Sequence, residues 1–192
     1  MSKSAITAAP ILPVLAERWS PRSFDHNYQL SKHELLSILE AARWAASGNN
    51  FQPWRFGVAV RGSQEHAKVA AHLSGFNQAW APKASALLVI SALNQKPDGT
   101  TLPSALLDVG LAAQNMMIQT TELGLQAHPI SGIDVAAMHK VLDLPEDLTV
   151  LAALVVGKRA DAKVLEGTPA YERELQTRVR HDLDDIVLHG KP

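Results

Sequence analysis

The 192-residue chain contains no cysteine, which excludes disulfides, thiolate-bound metal, iron–sulfur clusters and a cysteine nucleophile. It also has no excess charge. Eighteen Lys and Arg face 19 Asp and Glu, for a net charge of -1, so the basic field of a phosphate-backbone binder is missing and nucleic acid is not an expected partner. Residues 1–10 carry only Lys3 and no apolar signal-peptide core, which sets the expectation of a cytoplasmic protein. The most membrane-like stretch, 102–125, is interrupted by Asp108, Gln114, Asn115, Gln119 and Glu122; it reads as a buried core helix, and no membrane partner is expected. Three catalytic patterns are absent as well. Val60-Arg61-Gly62-Ser63 offers one glycine where a dinucleotide-binding turn needs several, the eight histidines include no His-Glu-x-x-His pair, and neither Ser47-Gly48 nor Ser131-Gly132 sits in a Gly-x-Ser-x-Gly frame. No protein-bound metal is expected.

What is present suits one substantial core, with 46% hydrophobic residues over a length that requires no second domain. We therefore expect a single domain over residues 1–192. Proline in its first turn and Pro21 beyond its end delimit a short helix at 13–18. Ser31-Lys32-His33-Glu34 is a capping box, followed by Leu35, Ile38, Leu39, Ala42 and Ala46 at helical spacing. Trp54, Phe56, Val58 and Val60 alternate with smaller or charged residues, the pattern of a half-buried strand, whereas 84–92 is a continuous apolar run suited to a central strand. Helices are expected at 63–74, from 104 to Gly124, and from an Asp134 cap to about residue 142. A third strand is expected at 148–156, and 125–132 reads as a loop. Strands alternating with helices argue, from pattern alone, for a doubly wound parallel sheet.

Three stretches carry groups suited to binding. Between Trp44 and Trp54, Ser47, Asn50 and Gln52 offer donors and acceptors, Gly48 permits close backbone approach, and Pro53 stiffens the exit. A helix-ending turn built from ordinary turn residues would look the same. Arg18-Trp19-Ser20-Pro21-Arg22 groups two guanidiniums and a hydroxyl suited to a delocalised anion, or is a solvated basic turn. Arg178 and Arg180 form a second basic pair. Residues two apart diverge by about 200° on a helix, so their joint use requires non-helical backbone.

Taken together, the segments resemble the FMN-dependent nitroreductase family, in order over nearly the whole chain. Five blocks carry the likeness: Arg18-x-Ser20-x-Arg22 with Phe24-Asp25; Ala45 to Trp54; Asn77 with Ala81-Pro82; Asp108-x-Gly110-Leu111-Ala112-Ala113-Gln114-Asn115 leading through Glu122-Leu123-Gly124-Leu125 to Pro129-Ile130-Ser131-Gly132; and Arg178-x-Arg180. The resemblance implies an α+β fold, a mainly antiparallel sheet between helical layers in a three-layer α/β/α arrangement, in place of the parallel sheet. It also implies a domain-swapped homodimer in which residues 158–192 form an arm packing on the partner.

Its implied cofactor is FMN, with NADH or NADPH as donor and a nitroaromatic, quinone or other electron-poor small molecule as acceptor in a ping-pong cycle. By the same resemblance, Arg18, Ser20, Arg178 and Arg180 hold the FMN phosphate, while Arg22 and Asn77 reach the pyrimidine side of the ring. Ser47, Gly48, Asn50 and Gln52 line the ring and ribityl chain, some of that loop facing the flavin of the partner subunit. Trp19, Ala46, Pro129 and Ile130 join the cofactor-contacting set, and Ser131 and Gly132 present backbone N–H groups to flavin N5. No side chain is assigned as acid or base. Three departures stand out: Ala46 replaces a common proline, Trp80 replaces a lysine that some relatives place near the flavin, and the connector 94–103 is short beside relatives with a helical lid. A flavin-dependent dehydrogenase or reductase of a specialised metabolite, or a non-catalytic FMN-binding storage or sensor protein, is the alternative, separated by whether NAD(P)H reduces the bound flavin.

Overall fold

The continuous apolar run becomes the centre of the molecule because it is covered on both faces. In the computed structural model, which describes residues 3–190, strand β2 (Ala86–Leu93) sends Leu87 and Val89 into one buried cluster. Its Ala86, Leu88, Ile90 and Ala92 point into another. Strand β1 (Trp54–Val60) pairs antiparallel with one edge of β2 and strand β4 (Leu148–Gly157) with the other. Strand β3 (Gln126–Ile130) completes the order β1-β2-β4-β3, antiparallel throughout.

The first face is covered by helices α2 (Lys32–Arg43) and α4 (Ala105–Glu122), whose Ile38, Ala42, Val109, Ala112 and Met116 meet Leu88, Leu154 and Val156. The capping box of α2 is complete: Ser31 Oγ accepts from the Glu34 amide at 3.2 Å, and Glu34 Oε2 accepts from the Ser31 amide at 2.7 Å. That pairing starts the helix so that its apolar stripe faces α4. The second face is covered by α3 (Gln64–Ala71) and α5 (Val135–Val141) with two 3₁₀ turns, Gly75–Ala79 and Ala81–Lys83. Leu73, Trp80 and Met138 from these segments pack on Leu87, Val89 and Val155. Full burial of a Leu or Val side chain contributes about 1.5–3 kcal/mol, and both layers draw on β2. Helix α1 (Pro13–Glu17) packs on α4. Beyond β4 come α6 (Pro169–Leu175) and α7 (Leu183–Ile186).

The α+β expectation therefore holds and the doubly wound parallel sheet does not. Periodicity identifies an element but not its direction. Here the chain leaving α4 enters β3 at the sheet edge and then folds back through α5 into β4, between β2 and β3. Residues 125–132 also differ from expectation: Gln126–Ile130 is a strand, with His128 opposite Val155 and Pro129 opposite Leu154. Pro129 made the stretch read as a loop, yet β3 is an edge strand, where a residue without an amide proton is tolerated. Helix α3 ends at Ala71 rather than reaching 74, and the chain turns at Gly75, whose φ of +58° favours glycine. Among the described residues no helix is long and apolar enough to cross a membrane.

Candidate functional site

Arg18 sits at the C-cap of α1, where the chain becomes extended, and its Nη1 lies 3.4 Å from Ser20 Oγ. Residues 177–182 lie between α6 and α7 in irregular backbone, as a joint use of Arg178 and Arg180 requires. Arg178 Nη1 donates to the carbonyls of Lys3 and Ala16 at 2.6 Å each, and its Nη2 donates to that of Arg18 at 2.9 Å. Its fork thus ties the C-terminal arm to the N-terminal segment and to the end of α1. Arg180 is exposed, with one bond to the neighbouring Val179 carbonyl. Burial lowers the pKa of Arg18, and the charges of Arg178 and Arg180 lower it further. The three guanidiniums, with Leu15, Val179 and His181, line a cavity of about 570 Å³. Trp19 is buried, its ring 4.5 Å from Lys3 Nζ and 5.8 Å from the Arg159 guanidinium.

The segment after Ser20 is fastened by Glu174, a buried residue of α6. Its carboxylate accepts from the Arg22 amide at 2.7 Å and from Ser23 Oγ at 2.6 Å. The Arg22 guanidinium lies 5.8 Å from the Phe76 ring and 6.0 Å from that of Trp80, and its buried Nε has no hydrogen-bond partner. Burial lowers its pKa, with Glu174 opposing and Arg173 reinforcing the shift. At the end of β3, a Cβ added to Gly132 would stand 2.5 Å from Asn77 Nδ2 and 3.2 Å from Ser74 Oγ, so any side chain there would displace that amide. The Gly132 carbonyl accepts from the Ser74 amide at 2.9 Å. Ile130 is buried, whereas Pro129 and Ser131 are exposed. Arg22, Asn77 and Gly132 are thus brought to one region by the 3₁₀ turns that follow α3.

Behind this region, His128 Nδ1 donates to the Pro21 carbonyl at 2.8 Å, and its ring lies 4.7 Å from that of Trp80, which in turn stacks on Phe24 at 6.1 Å. Burial draws the His128 pKa down to about 4; the Arg22 and Arg18 charges act the same way and the Pro21 bond opposes them. Trp80 is 1% exposed. It is a core residue here, and it meets the Arg22 guanidinium at 6.0 Å.

The third group is the amide loop. Asn49, Asn50 and Gln52 have φ of +49°, +57° and +52°, a left-handed conformation that costs L-residues roughly 1–2 kcal/mol each and is eased for Asn by its short polar side chain. The loop closes on itself: the Asn50 and Phe51 amides donate to the Ser47 and Gly48 carbonyls at 3.1 Å, and the Gln52 amide donates to Ser47 Oγ at 3.1 Å. The Gly48 amide donates to Asp108 Oδ2 of α4 at 3.2 Å. Ala46 and Asn50 are exposed. The short connector reaches the loop through Lys96, whose Nζ stands 4.2 Å from the Phe51 ring. The site-predicted residues therefore form two assemblies. One joins residues 18–22, 77, 129–132, 178 and 180; the other is the 46–52 loop seated on α4.

A family model for the nitroreductase family matches residues 15–86 and 63–158. The chain belongs to the nitroreductase family. A relative from Helicobacter pylori, an oxygen-insensitive NADPH nitroreductase, is 40% identical over 103 residues, which is 54% of this chain and 44% of that protein. The chain thus aligns with less than half the length of that relative. The Bacillus subtilis protein YdgI, whose name places it provisionally among the NAD(P)H nitroreductases, is 26% identical over 203 residues, covering 86% of this chain and 94% of its own. Among solved structures, an oxidoreductase containing FMN superimposes with a TM-score of 0.92 at 32% identity, over 100% of this chain and 97% of that one.

Within this nitroreductase fold, the arginine-lined assembly is equipped to take a phosphate-like anion, and the missing side chain of Gly132 makes room for the Asn77 amide. Three residues outside the expected set hold the parts in place: Glu174, His128 and Asp108. Asp108 had a visible signal, an acid interrupting an apolar helix and lying inside a family block. Glu174 had none among the many charges of the tail, and His128 stood as one of eight scattered histidines.

Proposed function

We propose that the protein is an FMN-dependent oxidoreductase that draws hydride from NADH or NADPH and delivers it to a nitroaromatic, quinone or other electron-poor acceptor in a ping-pong cycle. The observation that carries this reading is the convergence of Arg18, Arg178 and Arg180 on one cavity, where burial and then the neighbouring positive charges lower the pKa of Arg18 and of Arg178. A dianionic phosphate relieves that crowding. FMN, when bound, supplies hydride acceptance and donation at N5.

The chain's residues fit that cofactor. Arg18, Ser20 and Arg180 would hold the phosphate over Trp19, with Arg178 bracing the backbone beneath them. Arg22, whose buried Nε has no partner, would gain one from the polar edge of the ring beside Asn77, and its positive charge would favour the reduced, anionic cofactor. Ser131 and Gly132 would offer main-chain donors at the end of β3, with Pro129 and Ile130 placing the chain beside the ring. Ala46, Ser47, Gly48, Asn50 and Gln52 would form the remaining wall, in part toward the partner's cofactor.

A homodimer fits the exposed apolar surface. Leu106, Leu107 and Leu111 of α4 are 42–66% exposed, and Val179, Leu183, Ile186 and Leu188 of the arm are 54–78% exposed. Such residues call for a covering surface, and we assign that role to a second copy, with residues 158–192 of one otherwise single domain packing on the partner. We assign the reaction to the cytoplasm, which supplies the nicotinamide donor.

The absorption spectrum tests the proposal. Purified protein is expected to be yellow, or to turn so with added FMN, and to bleach under anaerobic NADH or NADPH. Protein that ignores FMN overturns the reading; bound FMN that neither donor reduces overturns the enzyme and leaves a storage or sensor protein. An active monomer overturns the shared site.

A further inference from the structure

We propose that Asp108 is a positioning residue for the candidate site, clamping the 47–52 loop to the start of α4. Its relevance to catalysis rests on the reading of that loop as a wall of the flavin site, but the clamp itself is a property of the chain alone. Asp108 lies in the first turn of α4 and is 3% exposed. Its Oδ2 accepts two hydrogen bonds, from the Gly48 amide at 3.2 Å and from Ser104 Oγ at 3.0 Å. Both partners are neutral. Removing a carboxylate from water is costly, and the position is surrounded by the buried Ala105, Val109 and Ala112 of the same helix, where an aliphatic side chain would pack at no such cost. The positive end of α4 and the two donors offset the burial.

The loop needs an external hold. Left-handed backbone at three non-glycine residues in four positions persists only where the surroundings impose it. The bonds from Asn50, Phe51 and Gln52 return to Ser47 and Gly48, so they set the loop's internal shape without fixing where it sits. The Gly48–Asp108 bond ties the loop to α4, while Arg55 Nη1, donating to the Gln52 carbonyl at 3.1 Å, holds its other end to β1. Contact there is close enough that a Cβ on Gly48 would lie 2.7 Å from Ser104 Oγ. Glycine at 48, serine at 104 and aspartate at 108 thus form one joint between a strained loop and a helix terminus.

Three variants of the full chain test this: Asp108→Ala, which removes the acceptor; Asp108→Asn, whose Oδ1 can still accept from Gly48; and Ser104→Ala, which leaves the Gly48 bond but loosens the carboxylate. The first readout is amide hydrogen exchange in flavin-free protein. In Asp108→Ala the amides of residues 48 and 50–52 are expected to exchange about tenfold faster or more, as loss of a charge-assisted bond implies, while those in the later turns of α4 do not change. Asp108→Asn is expected to recover most of that protection, with Ser104→Ala between the two. The second readout is FMN titration, in which Asp108→Ala is expected to weaken binding about tenfold and Asp108→Asn much less. Unchanged loop exchange in Asp108→Ala overturns the clamp, as does an Asp108→Asn variant no better protected than the alanine one. Faster loop exchange with unaltered FMN affinity supports the clamp and overturns the loop's place in the flavin site. If Asp108→Ala does not fold, Gly48→Ala carries the test, because its Cβ would meet Ser104 Oγ at 2.7 Å and part the loop from the carboxylate; wild-type exchange of residues 50–52 in that variant then overturns the clamp.

Discussion

The two assemblies of the candidate site are built on opposite principles. Around Arg18 and Arg178 the chain termini are drawn together by long cationic side chains reaching for backbone carbonyls: Arg178 holds those of Lys3, Ala16 and Arg18, and Lys3 holds those of Glu174 and Gln176. Around Ser47–Gln52 the chain is short, uncharged and strained, and is held by main-chain bonds, one buried carboxylate and the Arg55 bond to the Gln52 carbonyl. A cluster of like charges is stabilised by a bound anion, so the first assembly should gain most from its ligand. A strained loop fastened to a core helix is already shaped without one. The contrast predicts different responses to pH, to loss of charge and to relief of strain.

The largest expected effect comes from acid. The folded His128 pKa of about 4 lies below its unfolded value of 6.5, so between those limits the unfolded chain binds more protons. Stability is complete above about pH 6.5 and falls as the pH drops toward 4, by at most about 3 kcal/mol from this residue. Urea denaturation at pH 7 and pH 4.5 should show a larger loss in wild type than in His128→Gln. Because His128 bonds Pro21, between Ser20 and Arg22, the arginine assembly should loosen first, and an equal pH response in both proteins would remove His128 from that account.

Next come the arginines themselves. Arg18→Ala is expected to weaken FMN binding by about 1.5–3 kcal/mol through loss of a charge-assisted contact, with little change in the flavin-free melting temperature. Arg178→Ala removes one donor from each of three carbonyls, of which that of Ala16 keeps the Ala5 amide, and is expected to lower that melting temperature as well. Thermal melts with and without FMN separate ligand from brace; identical behaviour of the two variants would erase the distinction. The smallest effect is expected at Gln52, whose φ of +52° glycine adopts freely. Gln52→Gly should leave stability within about 1 kcal/mol of wild type, since relieved strain is offset by the added freedom of the unfolded chain. FMN affinity should fall at the same time as the side-chain amide is lost. A large loss of stability would show that the loop is not strained there.

Much of this architecture was legible in the residues alone. The capping box at Ser31, the alternation through β1, the continuous apolar run of β2, the Asp134 cap and the ordered family blocks each report local chemistry, which depends on neighbours a few positions away. Those signals were enough to identify most of the core elements and the family. Sheet direction was not available locally, because pairing depends on where a connection re-enters the sheet; nor was β3, whose Pro129 is acceptable only because its strand lies at an edge. The supporting residues were hidden for the same reason. Glu174 acts on Arg22 and Ser23, His128 on Pro21 and Asp108 on Gly48, pairs separated by 152, 151, 107 and 60 positions. Spacing along the chain carries no trace of such contacts, and only the closed tertiary structure decides which buried polar group meets which partner.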